Sequence, residues 1–148
     1  MRVFMEKKMT ITFDLPFTTL SDEWEVLHKI GTAKSRGIDK LVRMYVKCLL
    51  TKKGTNLDDP SYGTDLIDII GSATDKAGMS VKAKVVEAVG AANRWFKEMQ
   101  ITQKAEDEAM LKDGRIVSVG YEVDGGHVSL KLMLINNTGK SAVFGLEI

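Results

Sequence analysis

Cysteine, histidine, proline and aromatic residues are all scarce in this sequence of 148 residues. The single cysteine, Cys48, excludes an internal disulfide and a metal site built from several thiolates. A catalytic thiol needs a partner base, and the two histidines, His28 and His127, lie in unrelated segments. Cys48 falls within an apolar helical pattern, so we expect a buried free thiol.

An excess of one charge and long apolar runs are also absent. The formal net charge of +1 gives no overall attraction to nucleic acid or to an anionic membrane. No stretch approaches the roughly 20 apolar residues of a membrane-spanning helix, and the N-terminus lacks the apolar core of a signal peptide. We therefore expect a soluble protein, made in the cytosol, that binds neither membrane nor nucleic acid.

The N-terminal quarter predicts a strand and a short helix. Residues 3–13 alternate as a strand does, ending with Met9, Ile11 and Phe13 on one side. A helix is predicted from Asp22, where Glu25 completes a capping box, and glycines interrupt it. We treat residues 1–37 as an N-terminal extension and residues 38–148 as the main domain.

Two longer helices are predicted within the main domain. The first carries an apolar stripe at helical spacing, formed by Ile38, Leu41, Val42, Tyr45 and Leu49. The second has Ser80 as its N-cap and keeps its stripe from Val81 to Met99. Between them, residues 66–70 predict a helical turn or two.

The C-terminal third predicts an antiparallel meander. Apolar residues alternate with smaller or polar ones, and turn signals stand at Asp124-Gly125-Gly126 and at Asn137-Thr138-Gly139. The charged stretch 101–115 is expected to cover one edge of the sheet. The predicted fold class is α+β, with two or three helices packed on a small antiparallel sheet of three to four strands.

The segment from Leu49 to Ile70 is the most informative part of the chain. Gly54 can end a helix, Pro60 stiffens the loop, and Gly63 permits a positive φ or a close backbone approach. Taken alone, this pattern predicts only a constrained loop between two helices.

The order and spacing of these residues resemble the N-terminal motif of the baseplate wedge family of contractile tails, also called the GPW or lysozyme-like family. Its members initiate the tail sheath in phages, tailocins and type VI secretion systems. The family motif is Thr-x-x-Gly, a short spacer, and then Pro-x-x-Gly-x-x-Leu. The matching residues are Thr51, Gly54, Pro60, Gly63 and Leu66, and the aromatic Tyr62 also suits the family.

The resemblance continues through the long helix and covers roughly residues 38–148. The family follows that helix with a Glu-Pro-Arg-Ile turn and a sheet. Glu98 and Ile101 match this turn, whereas Met99 and Gln100 replace the proline and the arginine. A glutamine cannot reproduce the bidentate grip of a guanidinium, so a contact of that kind is not expected at position 100.

The resemblance implies a structural protein of the virion baseplate, assembled in the host cytoplasm and present in multiple copies in a six-fold particle. It implies that the chain joins the wedge core bundle and templates the first ring of the tail sheath by strand addition. Other wedge proteins and the sheath protein are the implied partners, with the tail tube as a further candidate, and no cofactor or metal is implied. The last strand, Ser141–Ile148, ends the chain and is expected at a sheet edge. The residues expected to bind the sheath there are Ala142, Val143, Phe144, Gly145 and Leu146.

A peptidoglycan hydrolase is the alternative suggested by the lysozyme-like label. Glycoside hydrolysis needs two carboxylates facing each other across a cleft, but most acids here are close neighbours in sequence. Glu98 alone has apolar neighbours, Trp95 and Phe96. We expect no enzyme activity, and we expect Glu98 to be a buried or interfacial hydrogen-bonding group.

The stretch from Lys29 to Lys53 holds eight basic residues and one acid, Asp39. On helices such a stretch is usually a solvated face. It lacks the aromatic side chains of a nucleic-acid stacking platform, so a docking face for an acidic protein partner is favoured.

Overall fold

The computed structural model describes residues 2–7, 9–14, 37–71, 79–103, 106–122 and 127–148. In these residues, helices pack on one face of an antiparallel sheet, which confirms the α+β class. The helices are α1 (Gly37–Leu50), α2 (Leu66–Gly71) and α3 (Met79–Thr102), and a short 3-10 turn spans Asp107–Ala109. The strands are β1 (Arg2–Lys7), β2 (Met9–Asp14), β3 (Leu111–Glu122), β4 (His127–Asn136) and β5 (Ser141–Glu147).

The sheet has five strands in the order β2-β1-β5-β4-β3. β3, β4 and β5 form the predicted meander, and the β1–β2 hairpin makes the sheet wider than predicted. Residues Arg2–Met5 pair with Phe144–Glu147. Strands from both sides of the boundary drawn at residue 37 therefore belong to one sheet. Part of the 101–115 stretch is itself in the outermost strand β3, instead of covering an edge. The helix predicted from Asp22 lies outside the described residues.

The alternating apolar residues of β4 and β5 form the inner face of the sheet. They pack against the apolar stripes of α1 and α3, as the sequence predicts. The buried members on the sheet are Val128, Leu130, Leu132, Leu134, Phe144 and Leu146. Cys48 is buried and unpaired, which confirms the expected free thiol, and burial raises its pKa.

Tyr45 joins α1 to α3 at the centre of this core. Its ring stacks on Phe96 with 5.3 Å between centroids, and its hydroxyl donates to Asn93 Oδ1 at 2.7 Å. Burial raises the pKa of Tyr45, so the phenol stays protonated.

α3 begins at Met79, which makes Ser80 its second residue and not the predicted N-cap. None of the described helices is long and apolar enough to cross a bilayer.

The predicted turn between β4 and β5 is confirmed and is built around a completely buried Asn136. The Asn136 Oδ1 accepts from the Lys140 amide and from the Thr138 hydroxyl, both at 2.8 Å. The Asn136 Nδ2 donates to the Glu108 carbonyl at 2.8 Å. One side chain therefore fixes the turn and ties it to the 3-10 turn before β3.

Candidate interaction surfaces

The motif segment closes the end of α1 onto the start of α2 through side-chain hydroxyls. Thr51 Oγ1 donates to the Lys47 carbonyl at 2.7 Å, one of the last carbonyls of α1. The buried Thr64 Oγ1 donates to the Leu49 carbonyl at 2.7 Å and accepts from the Leu66 amide at 3.3 Å. The hydroxyls of Thr51 and Thr64 thus supply hydrogen bonds to carbonyls at the end of α1 and to the first amide of α2.

Gly63 brings two backbone segments of this unit into contact. Its φ is +103°, and a Cβ built on it would lie 2.5 Å from the Thr51 carbonyl oxygen. Beside it, the Thr64 amide donates to that same oxygen at 2.8 Å. The sequence expectation that Gly63 permits either a positive φ or a close approach is confirmed in both respects.

The loop is also pinned to α3 by Trp95. The indole Nε1 donates to Asp59 Oδ2 at 2.9 Å, and the Trp95 ring meets Tyr62 edge-on at 4.7 Å and Phe96 edge-on at 5.0 Å. Hydrogen bonds from Ser61 and from Trp95 hold the pKa of Asp59 below its usual value. These contacts give the loop a fixed position without regular secondary structure.

An aromatic groove of about 650 Å³ lies between α1, the loop and α3. Its walls combine aromatic rings, methionines and short polar side chains. The lining residues are Met44, Lys47, Thr51, Thr55, Asn56, Asp59, Tyr62, Trp95, Phe96, Met99 and Gln103. Two of the predicted motif residues, Thr51 and Tyr62, therefore face this groove, while Leu66 is buried and Gly54 and Pro60 are exposed.

Gln100, near the end of α3, binds the first residue of β3. The Gln100 Nε2 donates to the Leu111 carbonyl at 3.0 Å, and the Gln100 Oε1 accepts from the Leu111 amide. Further along, Asn93 Nδ2 donates to the Gly114 carbonyl at 2.8 Å. A carboxamide can donate and accept at once, as a neighbouring strand does, whereas a guanidinium can only donate.

We therefore expect Gln100→Arg and Gln100→Glu each to lower the free energy of unfolding by about 1–2 kcal/mol. The arginine loses the acceptor for the Leu111 amide, and the glutamate loses the donor to its carbonyl. Urea titration gives the comparison, with Gln103→Glu at an exposed position of the same helix end as control. Wild-type stability in both Gln100 variants would show that this pairing contributes nothing.

The backbone directions of β3 follow from one pair of hydrogen bonds in the sheet. The Val128 amide donates to the Ile148 carbonyl at 2.8 Å and the reverse bond is 3.0 Å, so Val128 directs both backbone groups toward β5. Directions alternate along a strand, so Ser129 faces β3 and its partner Gly120 faces β4.

Val119 and Tyr121 flank Gly120, so their N–H and C=O groups point away from β4 toward the open side of β3. Within the described part of the chain, the side chains that hydrogen-bond to this side of β3 are Gln100 and Asn93, both near the start of the strand. Between the two parts the register shifts at Val117, whose side chain is half exposed. We call residues 116–122 the open half of β3.

The expectation that β5 forms a sheet edge is wrong. β5 lies between β4 and β1, so the residues predicted to bind the sheath (Ala142, Val143, Phe144, Gly145 and Leu146) stand in the interior of the sheet. Phe144 and Leu146 are also buried against the helices. The strand that ends the chain has its outer side paired with the strand that begins it.

Glu98 is not buried in the single chain, because its side chain is exposed, and its expected role as an interfacial group stays a prediction. Ile101, its companion in the predicted turn, is 85% exposed.

The described part of the basic stretch lies on the exposed side of α1 and the loop that follows it. Its members are Lys40, Arg43, Lys47, Lys52 and Lys53, and Lys52 pairs with Asp68 at 2.7 Å. Among the described residues, no cluster of His, Cys, Asp and Glu could hold a metal ion.

The pairing of Gln100 with Leu111 and the hydrogen bond from Trp95 to Asp59 could not be foreseen from spacing. The available signals were weak: a polar side chain at the end of an amphipathic helix, and an acid before the loop proline. No protein-family model and no curated protein matches this chain.

Proposed function

We propose that the chain is a structural component of a contractile-tail baseplate, which joins the other wedge proteins and templates the first ring of the tail sheath by strand addition. The resemblance of residues 51–66 and 98–101 to the wedge family supports this proposal. The observation that carries it is the open half of β3, where the backbone groups of Val119 and Tyr121 face away from the sheet.

An open strand binds a partner strand chiefly through the backbone, so it accepts a segment with little side-chain specificity. β3 suits this role because it is held to the core by α3 and by the turn around Asn136. Among the described strands, the other outer one is β2, which pairs with β1.

The partners proposed are the other wedge proteins, the sheath protein and the tail tube, in a six-fold particle assembled in the host cytoplasm. No cofactor and no catalytic role are proposed. The hydrolase alternative gains no support from the described carboxylates, since Glu98 is exposed and Asp59 is bound to Trp95 and Ser61.

Proline substitutions on β3 test the proposal. Val119→Pro removes a donor on the open side and keeps the ladder to β4, so the variant should fold and enter wedges. Sheathed tails, counted by electron microscopy, should fall about tenfold or more, because the first sheath strand loses its pairing.

Val119→Thr is the matched control, since it changes the same side chain and keeps the backbone donor. Tails carrying it should be sheathed normally. Normal sheath with Val119→Pro would contradict a role for β3.

A further inference from the structure

The aromatic groove has a fixed wall that folding has already ordered. Trp95 is held by its hydrogen bond to Asp59 and by edge-on contacts with Tyr62 and Phe96. A partner that inserts a side chain beside these rings therefore orders little of the wall on binding. Met44 on α1 and Met99 on α3 also line the groove, and methionine adapts its shape to inserted apolar groups.

The side chains that line the groove keep apolar surface in contact with water. Met44, Tyr62, Trp95 and Met99 are each only half-buried, so a partner can cover them. The volume of about 650 Å³ holds several side chains, so the ligand is larger than one anchor residue.

The charged side chains at the groove indicate the charge of its ligand. The carboxylate of Asp59 is already bound by Trp95 and Ser61. Lys47 lines the groove with an exposed ammonium that has no ion-pair or hydrogen-bond partner within the described part of the chain. Lys40 lies seven positions earlier, two turns back on the exposed side of α1, and extends the positive charge along the helix.

From these contacts we propose that the groove binds an acidic amphipathic helix of a partner protein. Its apolar residues, spaced at three and four positions, contact Trp95, Tyr62 and the methionines, and its carboxylates face Lys47 and Lys40. The inference goes beyond the role of β3, and it does not depend on the particle to which the chain belongs.

The test uses two labelled synthetic helices of about 18 residues, or five turns. Both have the same leucine stripe, one with glutamates and the other with lysines on the polar face. Fluorescence anisotropy with the full-length protein should show the acidic helix binding about tenfold tighter than the basic one. Lys47→Glu should abolish this preference, whereas Lys82→Glu, an exposed control on α3, should leave it unchanged.

The apolar contribution is tested with Met44→Ser and Met99→Ser, which should each weaken binding of the acidic helix about threefold to tenfold, because both methionines line the groove. Val86→Ser is the control, because Val86 is an exposed apolar residue of α3 that does not line the groove. The proposal is overturned by equal affinity for the two helices, by no binding of either, or by variants without effect. It is also overturned if sedimentation shows a dimer that Met44→Ser dissociates, because the occupant is then a second copy.

Discussion

Gly63→Val should lower the free energy of unfolding by about 3–5 kcal/mol, the largest effect expected from any exchange in the motif segment. A valine at φ +103° is strained whatever surrounds it. In addition, its Cβ would lie 2.5 Å from the Thr51 carbonyl oxygen and 3.1 Å from the Lys52 carbonyl carbon. Both neighbours are backbone atoms, so relief requires the two segments to separate and the Thr64 amide to lose its bond to Thr51.

Gly54→Val separates the cost of a strained φ from the cost of the backbone clash. Gly54 has a φ of +83°, but a Cβ added there would meet no atom within 4 Å, so its substitution carries the conformational cost alone. That cost is about 1–3 kcal/mol. Urea unfolding of both variants should show Gly63→Val to be the less stable by about 2 kcal/mol. Equal losses would mean that the close approach of the backbone does not constrain this loop.

Asn136→Asp should lower the free energy of unfolding by about 3–4 kcal/mol at neutral pH. The change keeps the acceptor for the Lys140 amide and for the Thr138 hydroxyl. It replaces the Nδ2 donor with a carboxylate oxygen that faces the Glu108 carbonyl. The site is completely buried, so the charge loses its hydration.

The loss should depend on pH in a defined direction. Burial raises the pKa of the new carboxyl above the value of about 3.9 in the unfolded chain. The penalty is therefore full above the raised pKa and shrinks as the pH falls toward the unfolded value, where a protonated oxygen can donate to Glu108. Urea unfolding at pH 7 and pH 4, relative to wild type, measures this. Asn137→Asp, at the exposed neighbouring position, should show little loss; an equal loss there, or one at Asn136 that does not shrink at low pH, would contradict the account.

The parts of the fold that the sequence predicts well are those set by local periodicity. The stripe of α1 and the alternation along β4 need only the identity of residues a few positions apart. The same holds for Gly63, because a glycine between a helix end and a second helix signals unusual backbone geometry. These three predictions are confirmed by burial and by φ.

The order of strands in the sheet is not a local property, and here the prediction failed. Alternation shows that residues 141–148 form a strand but not which strands lie beside it. A position at the end of the chain suggested an edge, whereas β1 pairs with β5 across more than a hundred residues of sequence. The candidate edge therefore moved to β3, where side chains of α3 cover one end and leave the other open.

The exposure of Glu98 has a geometric cause. Two positions after the buried Phe96, a helical residue lies about 200° around the axis and points to the opposite side. Glu98 therefore lies in water although it is close in sequence to Trp95 and Phe96. The contact made by Gln100 left no periodic signal, because its partner is the backbone of Leu111.

Backbone hydrogen exchange tests the central claim, that a sheath strand adds to the open half of β3. Deuterium uptake is compared by mass spectrometry between the isolated protein and baseplates that carry the first sheath ring. Peptides covering residues 116–122 should become strongly protected on sheath addition, whereas the Leu111 amide, already bound by Gln100, should change little. Unchanged exchange across residues 116–122 in sheathed particles would contradict strand addition at this edge.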